Sequence, residues 1–522
     1  MLLLLLPIFF TIFACGWCNG LRILGLFPLN GKSHWVMAER LMTSLAERGH
    51  QVDVVTHFPM KNPPPNYKQI SLDGTLPAVV NNINMQNITR FGGMNMKHLV
   101  EVTGNSICEL LAHKELQDVI RRSKDQYDLV ITEVYILSSD SVYFFQLFAA
   151  PCYLAFGRHL NKPVIGIVTS AFHDWLSTLT GNPSNPSFIP GVFSSFGQRM
   201  TFRERLHNTF LTNLISWQMN YYLNQQAVYV KKFFNIDASI PELHQDIAAI
   251  LVNSHHSING VRPMTTGVIE VGGLHINENS DPLTPELKKW LDESTHGCIF
   301  FTFGSMVRIE TFPEPLLKIF YKVFERIAPV RVLMKVAQKK DLLPGLPKNV
   351  MIQSWFPQAT LFKHKNVKAF ITHGGLMGTL EAVYFGIPMI GIPLFGDQIT
   401  NLRNAASKNI AVNLGSVGNI TEKNLYNNFS PVTVPRYYRP MSAIDTAIYW
   451  VEYVARNGFV LQSPAIHLNW WQQNMIDIYG FVIVCLAVVL HITVLLVQKL
   501  KNCIFGLRTI KKISANLLLY IT

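Results

Sequence analysis

Cysteine is scarce in this chain of 522 residues, and its distribution excludes a fold held together by several disulfides. Four of the seven cysteines fall in an apolar leader, an apolar C-terminal run or a basic tail: Cys15, Cys18, Cys485 and Cys503. The other three are Cys108, Cys152 and Cys298, so we expect at most one disulfide. No cluster of His, Cys, Asp and Glu has metal-ligand spacing, so we expect no metal and no other cofactor.

Two further absences exclude classes of function. No G-x-G-x-x-G follows the first strand of either strand–helix series in the sequence, which counts against a dinucleotide oxidoreductase. The net charge is +12, but five positive charges lie between residues 499 and 512, and no basic run interleaved with aromatic residues occurs in the body. The charge therefore favours a tail at a membrane surface over a nucleic-acid partner.

The two ends of the chain carry apolar segments typical of a membrane-anchored protein of the secretory route. Residues 1–20 form an apolar run that closes on small residues, and we interpret them as a signal peptide. Residues 478–497 contain no carboxylate, lysine or arginine and are long enough to cross ~30 Å of hydrocarbon as a helix. No acidic residue follows Asp477, and the tail at 498–522 is basic. The positive-inside rule therefore predicts a type I, single-pass topology with a cytosolic tail.

Between the two ends, short apolar runs alternate with helical patterns in two series. In the first series we expect a helix at 35–48 and strands at 21–27, 51–56, 127–132 and 163–169. In the second we expect helices at 314–327 and 376–384, and strands at 298–303, 330–336, 350–353, 367–372 and 388–392. This alternation predicts an α/β architecture with parallel sheets. We place an N-terminal domain at 21–265 and a C-terminal domain at 266–458.

The most informative segment runs from Ser354 to Gln398. A buried strand leads into a His-Gly-Gly turn at 373–375 and then into a helix, so free backbone N–H groups and the positive end of the helix dipole face one point. That point is an anion site, and His373 adds a titratable donor for phosphate oxygens. Glu381 is a candidate acceptor for sugar hydroxyls, and Trp355 offers a flat face to a base. Phosphate, sugar and base partners together indicate a nucleotide-sugar site.

A set of positions at fixed spacing in this segment carries a family signature: Trp355, Pro357-Gln358, His364, the FITHGG run at 370–375, Glu381-Ala382, Gly386, Pro388-Met389, Pro393 and Asp397-Gln398. The set resembles the signature of the UDP-glycosyltransferases (glycosyltransferase family 1), which include UDP-glucuronosyltransferases and their invertebrate glucosyltransferase relatives. The resemblance implies a GT-B fold, in which two Rossmann-like domains face each other across a cleft. It also implies an enzyme that transfers a hexose from UDP-glucose or UDP-glucuronate to a small lipophilic acceptor, in conjugation or detoxification.

The same resemblance implies roles for the residues that would hold the nucleoside and the sugar. Trp355 would stack on uracil, and Gln358 would contact the nucleoside. Glu381 would hold the ribose. Asp397 and Gln398 would hold the donor sugar.

The diphosphate would be held by the turn that begins the helix. His373 would contact it together with the amides from Gly374 to Thr379, including those of Gly375 and Gly378. Ser305, in a turn of the same C-terminal domain, would approach the phosphates from the other side. Many relatives carry serine or threonine where Gly378 stands, so the resemblance implies that one side-chain phosphate contact is missing here.

The catalytic pair is expected at the carboxyl edge of the first sheet, where ligands of open α/β sheets bind. His34 lies at the end of the first strand–helix loop, and Glu133 ends the run YDLVITE. The family pairs this histidine with an acid, usually aspartate, in the position of Glu133. A histidine steered by a carboxylate is a base near neutral pH. We therefore expect a single inverting displacement with His34 as the base, and UDP leaving towards the helix dipole without a metal.

Three sequons permit N-glycosylation in a lumenal compartment: Asn87, Asn419 and Asn428. The family resemblance implies the endoplasmic reticulum membrane, with the catalytic body in the lumen. The chain departs from the family by extra residues after Glu133 and by a shortened stretch at 430–440. These departures leave a second hypothesis, a catalytically silent relative. Such a protein would bind nucleotide sugar or lipophile, or regulate an active paralogue through a homo- or heterodimer.

Overall fold

The computed structural model describes residues 20–77, 79–86, 97, 100–134, 150–192, 194, 196–278, 281–429 and 439–521. The chain divides into two compact units, a large body at Met1–Ser463 and a C-terminal unit at Pro464–Thr522. Four sequence expectations lie outside the described residues. They are the signal peptide up to residue 19, the sequon at Asn87, the extra segment at 135–149 and the shortened stretch at 430–438.

The first of two parallel sheets in the body has seven strands: Arg22–Phe27 (β1), Gln51–Thr56 (β2), Tyr67–Ser71 (β3), Leu129–Glu133 (β4), Val164–Val168 (β5), Ile247–Val252 (β6) and Val268–Glu270 (β7). Their spatial order is β3-β2-β1-β4-β5-β6-β7. The central strands are buried along their whole length, as β-branched runs covered by helices on both faces must be.

The second sheet has six strands: Cys298–Thr302 (β8), Arg331–Lys335 (β9), Val350–Gln353 (β10), Val367–Thr372 (β11), Met389–Gly391 (β12) and Ala411–Asn413 (β13). Their spatial order is β10-β9-β8-β11-β12-β13. All strand pairs in both sheets are parallel. Two parallel Rossmann-like sheets of this kind confirm the expected GT-B class.

The described α-helices of five or more residues cover the two sheets and form the C-terminal anchor: Lys32–Glu47 (α1), Lys114–Ile120 (α2), Ala155–Leu160 (α3), Asp174–Leu179 (α4), Phe202–Asn224 (α5), Ala227–Phe234 (α6), Ile240–His244 (α7), Pro285–Asp292 (α8), Glu314–Arg326 (α9), Gln358–Phe362 (α10), Leu376–Phe385 (α11), Gln398–Ala406 (α12), Glu422–Asn427 (α13), Ala443–Asn457 (α14) and Ile476–Ile521 (α15). Apolar residues fill both faces of each sheet. The burial of these faces from water is the main stabilising contribution to the body.

Each sheet has one place where the strand order reverses, and there two loops meet. In the first sheet β1 pairs with β4, and Leu26 lies opposite Thr132, so the ends of both strands are adjacent. In the second sheet β8 pairs with β11, and Thr302 lies opposite Thr372. Ligands of open α/β sheets bind at such switch points. The fold thus brings the loop before His34 beside Glu133, and the turn after β8 beside His373.

The observed boundaries differ from the sequence expectations by one or two residues at many element ends, and three differences bear on the site or on the domain boundary. Helix α1 begins at Lys32 rather than residue 35, because Gly31 starts it without any side-chain cap and leaves no capping signal. Strand β4 extends through Glu133 itself. The first sheet extends to β7, past the domain boundary expected at 265 and 266, because that strand pairs with β6.

Helix α14 returns from the second half of the body to the first. Its buried residues Ala447, Ile448, Val451 and Val454 belong to the same apolar cluster as the inner face of α1. His50 Nε2 and Glu452 Oε1 lie 3.2 Å apart at the edge of this contact. Helix α14 lies within the range assigned to the C-terminal domain but packs onto the N-terminal one.

One disulfide, Cys108–Cys152, is present among the described cysteines, with an S–S distance of 2.01 Å. Cys298 is free and buried at the start of β8. Burial raises the pKa of its thiol to about 12, so it remains an unreactive core residue at neutral pH.

The C-terminal unit consists mainly of α15, which begins at Ile476 and continues through the basic tail. Its segment Ile476–Lys511 has the length and composition of a membrane span, with a mean hydropathy of 2.9 over its most apolar window. This segment contains the span expected at 478–497. The apolar C-terminal helix is consistent with a membrane anchor.

Truncation of Ile448 tests the packing of α14 on the N-terminal half of the body. Because this side chain is fully buried, Ile448→Ala should lower stability by about 2–5 kcal/mol. Tyr449→Ala is the matched control, since Tyr449 points to solvent on the same helix and should change stability little. The measurement is the melting temperature of the detergent-solubilised chain. Equal shifts for the two variants would contradict the packing of α14 on the N-terminal half.

Candidate functional site

The turn between β11 and α11 presents a short row of free amides. The N–H of Gly374 donates to Thr372 Oγ1 at 3.2 Å, and the N–H of Thr379 donates to the Gly375 carbonyl at 3.0 Å. Because the first amides of a helix have no intrahelical partner, those from Gly375 to Gly378 are left to face a ligand. The expected phosphate site is thus narrower than the range Gly374 to Thr379, and the buried Thr379 side chain lies outside the cavity lining.

The His373 ring fits a slot between two glycine backbones. A Cβ atom at Gly304 would lie 2.8 Å from the ring, and one at Gly375 would lie equally close. Gly304 also has φ +76°, which disfavours any side chain there. Two turns on neighbouring strands of the second sheet therefore hold this ring at the cavity wall.

Burial and the nearby Lys335 ammonium lower the pKa of His373 to about 3. The ring is therefore neutral at physiological pH, which corrects the expectation of a titratable donor. Its buried Nδ1 has no hydrogen-bond partner among the described residues. An unsatisfied buried ring nitrogen beside free amides is the kind of group that a ligand satisfies.

Gln358, Glu381 and His275 form a polar cluster at one end of the cavity. Gln358 Nε2 donates to Glu381 Oε2, and His275 Nε2 lies 3.4 Å from Glu381 Oε1. Trp355, half of whose surface is exposed, lies in the same wall. Trp355 and this cluster together offer a ligand an aromatic face and a carboxylate whose Oε2 is held by Gln358. Sequence analysis missed His275, which carries no local signal and reaches Glu381 only through the tertiary fold.

Asp397 and Gln398 begin α12 at the opposite side of the turn. Asn401 Nδ2 donates to Asp397 Oδ2 at 2.8 Å and to the Gly374 carbonyl at 3.0 Å, which ties the two parts of the wall together. Gln398 Oε1 accepts from the amides of Leu394 and Phe395, so only its NH2 group remains for a ligand. Burial raises the pKa of Asp397 to about 6.

Lys335 is a cationic lining residue that sequence analysis missed. It ends β9, and its Nζ donates to Asn81 Oδ1 at 2.6 Å and to the Gly304 carbonyl at 2.7 Å. Burial lowers its pKa to about 8, so it is mostly charged at neutral pH. A polar residue that ends an apolar strand, as in VRVLMK, is the signal that could have found it. Ser305, which follows Gly304 in the turn after β8, also lines the cavity.

His34 and Glu133 meet at the switch point of the first sheet. His34 Nδ1 lies 2.9 Å from Glu133 Oε1, and Thr169 Oγ1 donates to the same oxygen at 3.0 Å. The longer side chain of glutamate, compared with the family's aspartate, therefore still reaches the imidazole. Glu133 is buried. With Nδ1 bound to a carboxylate, Nε2 is the nitrogen that can accept a proton. Thr169, which directly follows β5, was missed by sequence analysis because its partners, His34 and Glu133, belong to other elements.

One cavity of ≈ 270 Å³ connects these groups from both halves of the body. Its lining includes nearly all the expected site residues: His34, Ser305, Trp355, Gln358, His373, Gly375, Gly378, Glu381, Asp397 and Gln398. Glu133 stands behind His34. The sequon asparagines Asn419 and Asn428 are not part of this lining. The arrangement places His34, beside the first sheet, and the N-terminal end of α11, from the second, in the lining of one cavity.

A second cavity of ≈ 500 Å³ adjoins the first, and both are lined by Ser170 and Asp397. Apolar residues such as Phe172, Ile189 and Met264 contribute to its walls. Among the described residues no group of three or more His, Cys, Asp and Glu side chains is arranged to hold a metal ion. Two adjoining cavities are therefore open to ligands.

Comparison with known proteins gives consistent matches along nearly the whole chain. A family model described as UDP-glucoronosyl and UDP-glucosyl transferase matches residues 24–515. UDP-glucosyltransferase 2 of Dactylopius coccus is 36% identical over 503 residues, which are 92% of this chain and 93% of the relative. UDP-glucuronosyltransferase 1A6 of Mus musculus is 27% identical, with 92% and 91% coverage. Among solved structures, the glycotransferase of kitacinnamycin covers 88% of this chain at 14% identity and a TM-score of 0.49.

Substitution of Gly304 tests the slot that holds His373. Gly304→Ala places a methyl group against the ring and strains a left-handed backbone, so it should weaken UDP binding about tenfold or more. Gly418→Ala is the control, because a Cβ there meets nothing within 4 Å. Calorimetric titration with UDP measures both. Unchanged affinity in Gly304→Ala would show that the ring position does not matter for the ligand.

Proposed function

The chain belongs to the UDP-glycosyltransferase family, and we propose that it moves a hexosyl group, with inversion, from UDP-glucose or UDP-glucuronate to a hydroxyl of a small lipophilic acceptor. The observation that carries the proposal is the His34–Glu133 pair, partly exposed at His34 and buried at Glu133, which shares one cavity with the free amides of α11. The 36% identical relative is a UDP-glucosyltransferase, which favours UDP-glucose as the first donor to test.

His34 is the proposed base. Glu133 accepts the hydrogen bond from His34 Nδ1, which leaves Nε2 to take the proton of the acceptor hydroxyl. The acceptor oxygen then bonds to the anomeric carbon while the bond from that carbon to the diphosphate oxygen breaks. The carboxylate of Glu133 stabilises the imidazolium, and Thr169 fixes the carboxylate through its own hydrogen bond.

The leaving UDP is proposed to bind the wall formed by the second sheet. The amides from Gly375 to Gly378 and the neutral His373 ring would donate to phosphate oxygens, and Lys335 would add one positive charge. Preorganised donors in a partly buried cavity offset charge without reorganisation during the reaction. Trp355 would stack on the base, Glu381 would accept from the ribose, and Asp397 with Gln398 would bind the sugar hydroxyls.

The acceptor is proposed to occupy the second cavity, whose apolar walls lead to the proposed sugar-binding residue Asp397. The C-terminal anchor supports a type I protein of the endoplasmic reticulum membrane with a lumenal body. Exposure of Asn419 on the body agrees with glycosylation there. The formation of the His34–Glu133 pair favours turnover over the silent-relative hypothesis.

The decisive test is UDP release by the detergent-solubilised chain with each donor and a panel of phenolic acceptors. His34→Ala should lower kcat by about 10²- to 10⁴-fold and leave UDP affinity unchanged. His296→Ala removes an exposed histidine and should be neutral. UDP binding without turnover for any pairing in the unsubstituted chain would establish the silent relative instead.

The raised pKa of Asp397 predicts that the KM for the UDP-sugar rises at acidic pH. Because only the carboxylate accepts from two sugar hydroxyls, KM should rise about tenfold per pH unit below pH 6. Asp397→Asn should have a high KM that does not change with pH in this range. Because folding raises the pKa of Asp397, this carboxyl group adds to the free energy of unfolding at low pH. That contribution is lost as the pH rises through about 6. A KM that is flat below pH 6 in the unsubstituted chain would contradict the assignment.

A further inference from the structure

Helix α5 carries apolar residues on two faces, and within the part of the chain that the structure describes only the inner face is buried. Its inner face is buried in the body through Asn208, Thr212, Ile215, Met219 and Leu223. Its outer face carries six large apolar side chains that are between 37% and 70% exposed: Phe202, Leu206, Phe210, Leu214, Trp217 and Tyr221. We call these six residues the outer stripe.

The outer stripe is continuous along the helix. Its members are separated by three or four residues, so they lie above one another on one side of a helix about 35 Å long. The rings of Trp217 and Tyr221 stack with centroids 5.9 Å apart. Scattered apolar residues on a surface are ordinary, but a contiguous strip of this length marks an interaction site.

The sequence around the stripe is poor in acidic residues, and the first one after it, Asp237, pairs with Lys231 at 3.6 Å. No aspartate or glutamate occurs from Arg205 to Ile236, whereas cations flank the stretch: Arg203, Arg205, Lys231 and Lys232. The one acidic residue of the helix, Glu204, is held at its start by hydrogen bonds from Thr201 N and Oγ1 at 2.7 and 2.8 Å. The surface thus combines aromatic and apolar groups with positive charge at its ends.

We propose that the outer stripe lies in the headgroup boundary of a lipid bilayer, as a helix parallel to the membrane plane. Phe, Leu, Trp and Tyr with flanking Arg and Lys are the composition of interfacial helices. The packed inner face prevents α5 from crossing the bilayer, so it can only lie on it. The body is followed after residue 463 by the candidate span Ile476–Lys511, and a tethered body meets the membrane at high effective concentration.

A bilayer fits this surface better than a second copy of the chain. A single convex helix offers no groove, and two such helices in contact would cover only the facing part of each stripe. A deformable lipid surface covers all six side chains at once and attracts the flanking cations through phosphate groups.

The consequence of this contact rests on the proposed function. Asn208, on the inner face of α5, binds the carbonyls of Pro186 and Ile189 and accepts from the Gly191 amide. Ile189 and Gly191 line the second cavity. Immersion of the outer stripe would therefore bring the wall of the proposed acceptor site to the membrane surface, where lipophilic acceptors concentrate. The test below does not depend on turnover, so its failure would leave the glycosyltransferase assignment untouched.

The experiment uses the full chain in vesicles of phosphatidylcholine and phosphatidylserine. Cys485→Ala and Cys503→Ala clear the reactive thiols outside the body, and spin labels are attached at Leu206→Cys, Phe210→Cys and Trp217→Cys. Lys289→Cys and Lys318→Cys are matched controls on exposed helix positions of the other half. Power-saturation EPR reads accessibility to oxygen, which enters the bilayer, and to a nickel chelate, which does not.

The expected result is an oxygen-to-nickel accessibility ratio several-fold higher at the three stripe positions than at the two controls. Equal ratios at all five positions would overturn the proposal, because the stripe would then be in water. Loss of access to both reagents at the stripe would also overturn it and would indicate contact with a second copy. Denaturing gels without reductant check that the Cys108–Cys152 disulfide is intact in each variant.

Discussion

The reversal of strand order in two parallel sheets is the constraint on which the rest of the body depends. The loop after a strand can lead to either face of the sheet. A crevice opens only where the loops after two neighbouring strands lead to opposite faces. In the first sheet this happens between β1 and β4, which brings His34 to Glu133. In the second it happens between β8 and β11, which brings Gly304 to His373. One cavity connects the two crevices, so His34 and the free amides at the start of α11 line the same space.

The second crevice shows how backbone and side chain depend on each other. Glycine at 304 and 375 leaves room for the His373 ring, and the ring in turn fills the space that two Cβ atoms would occupy. Lys335 donates to the carbonyl of Gly304, and burial together with the Lys335 charge lowers the pKa of His373 and keeps the ring neutral. The donor groups are therefore fixed before any ligand binds, which is what electrostatic stabilisation of a leaving group requires.

Much of this could be predicted because the signals are local. Strands β2, β10 and β11 match their expected bounds, since Val- and Ile-rich runs between polar breaks leave little choice. His34 and Glu133 were predicted because both lie at the carboxyl edge of the first sheet, where parallel sheets bind ligands, and because the family resemblance pairs a histidine with an acid there. The start of α1 was misplaced because Gly31 carries no cap. Thr169, His275 and Lys335 were missed because their partners lie in elements distant in the sequence, which only the fold brings near.

The stereochemistry of the product tests the central claim most directly. Because the proposed base lies on one sheet and the proposed diphosphate site on the other, we expect attack and departure on opposite sides of the anomeric carbon. NMR of the glycoside formed from UDP-glucose, which has an α-linked sugar, should then show a β linkage. An α-linked product would mean that both steps occur on one face, and it would contradict a single displacement with His34 as the base.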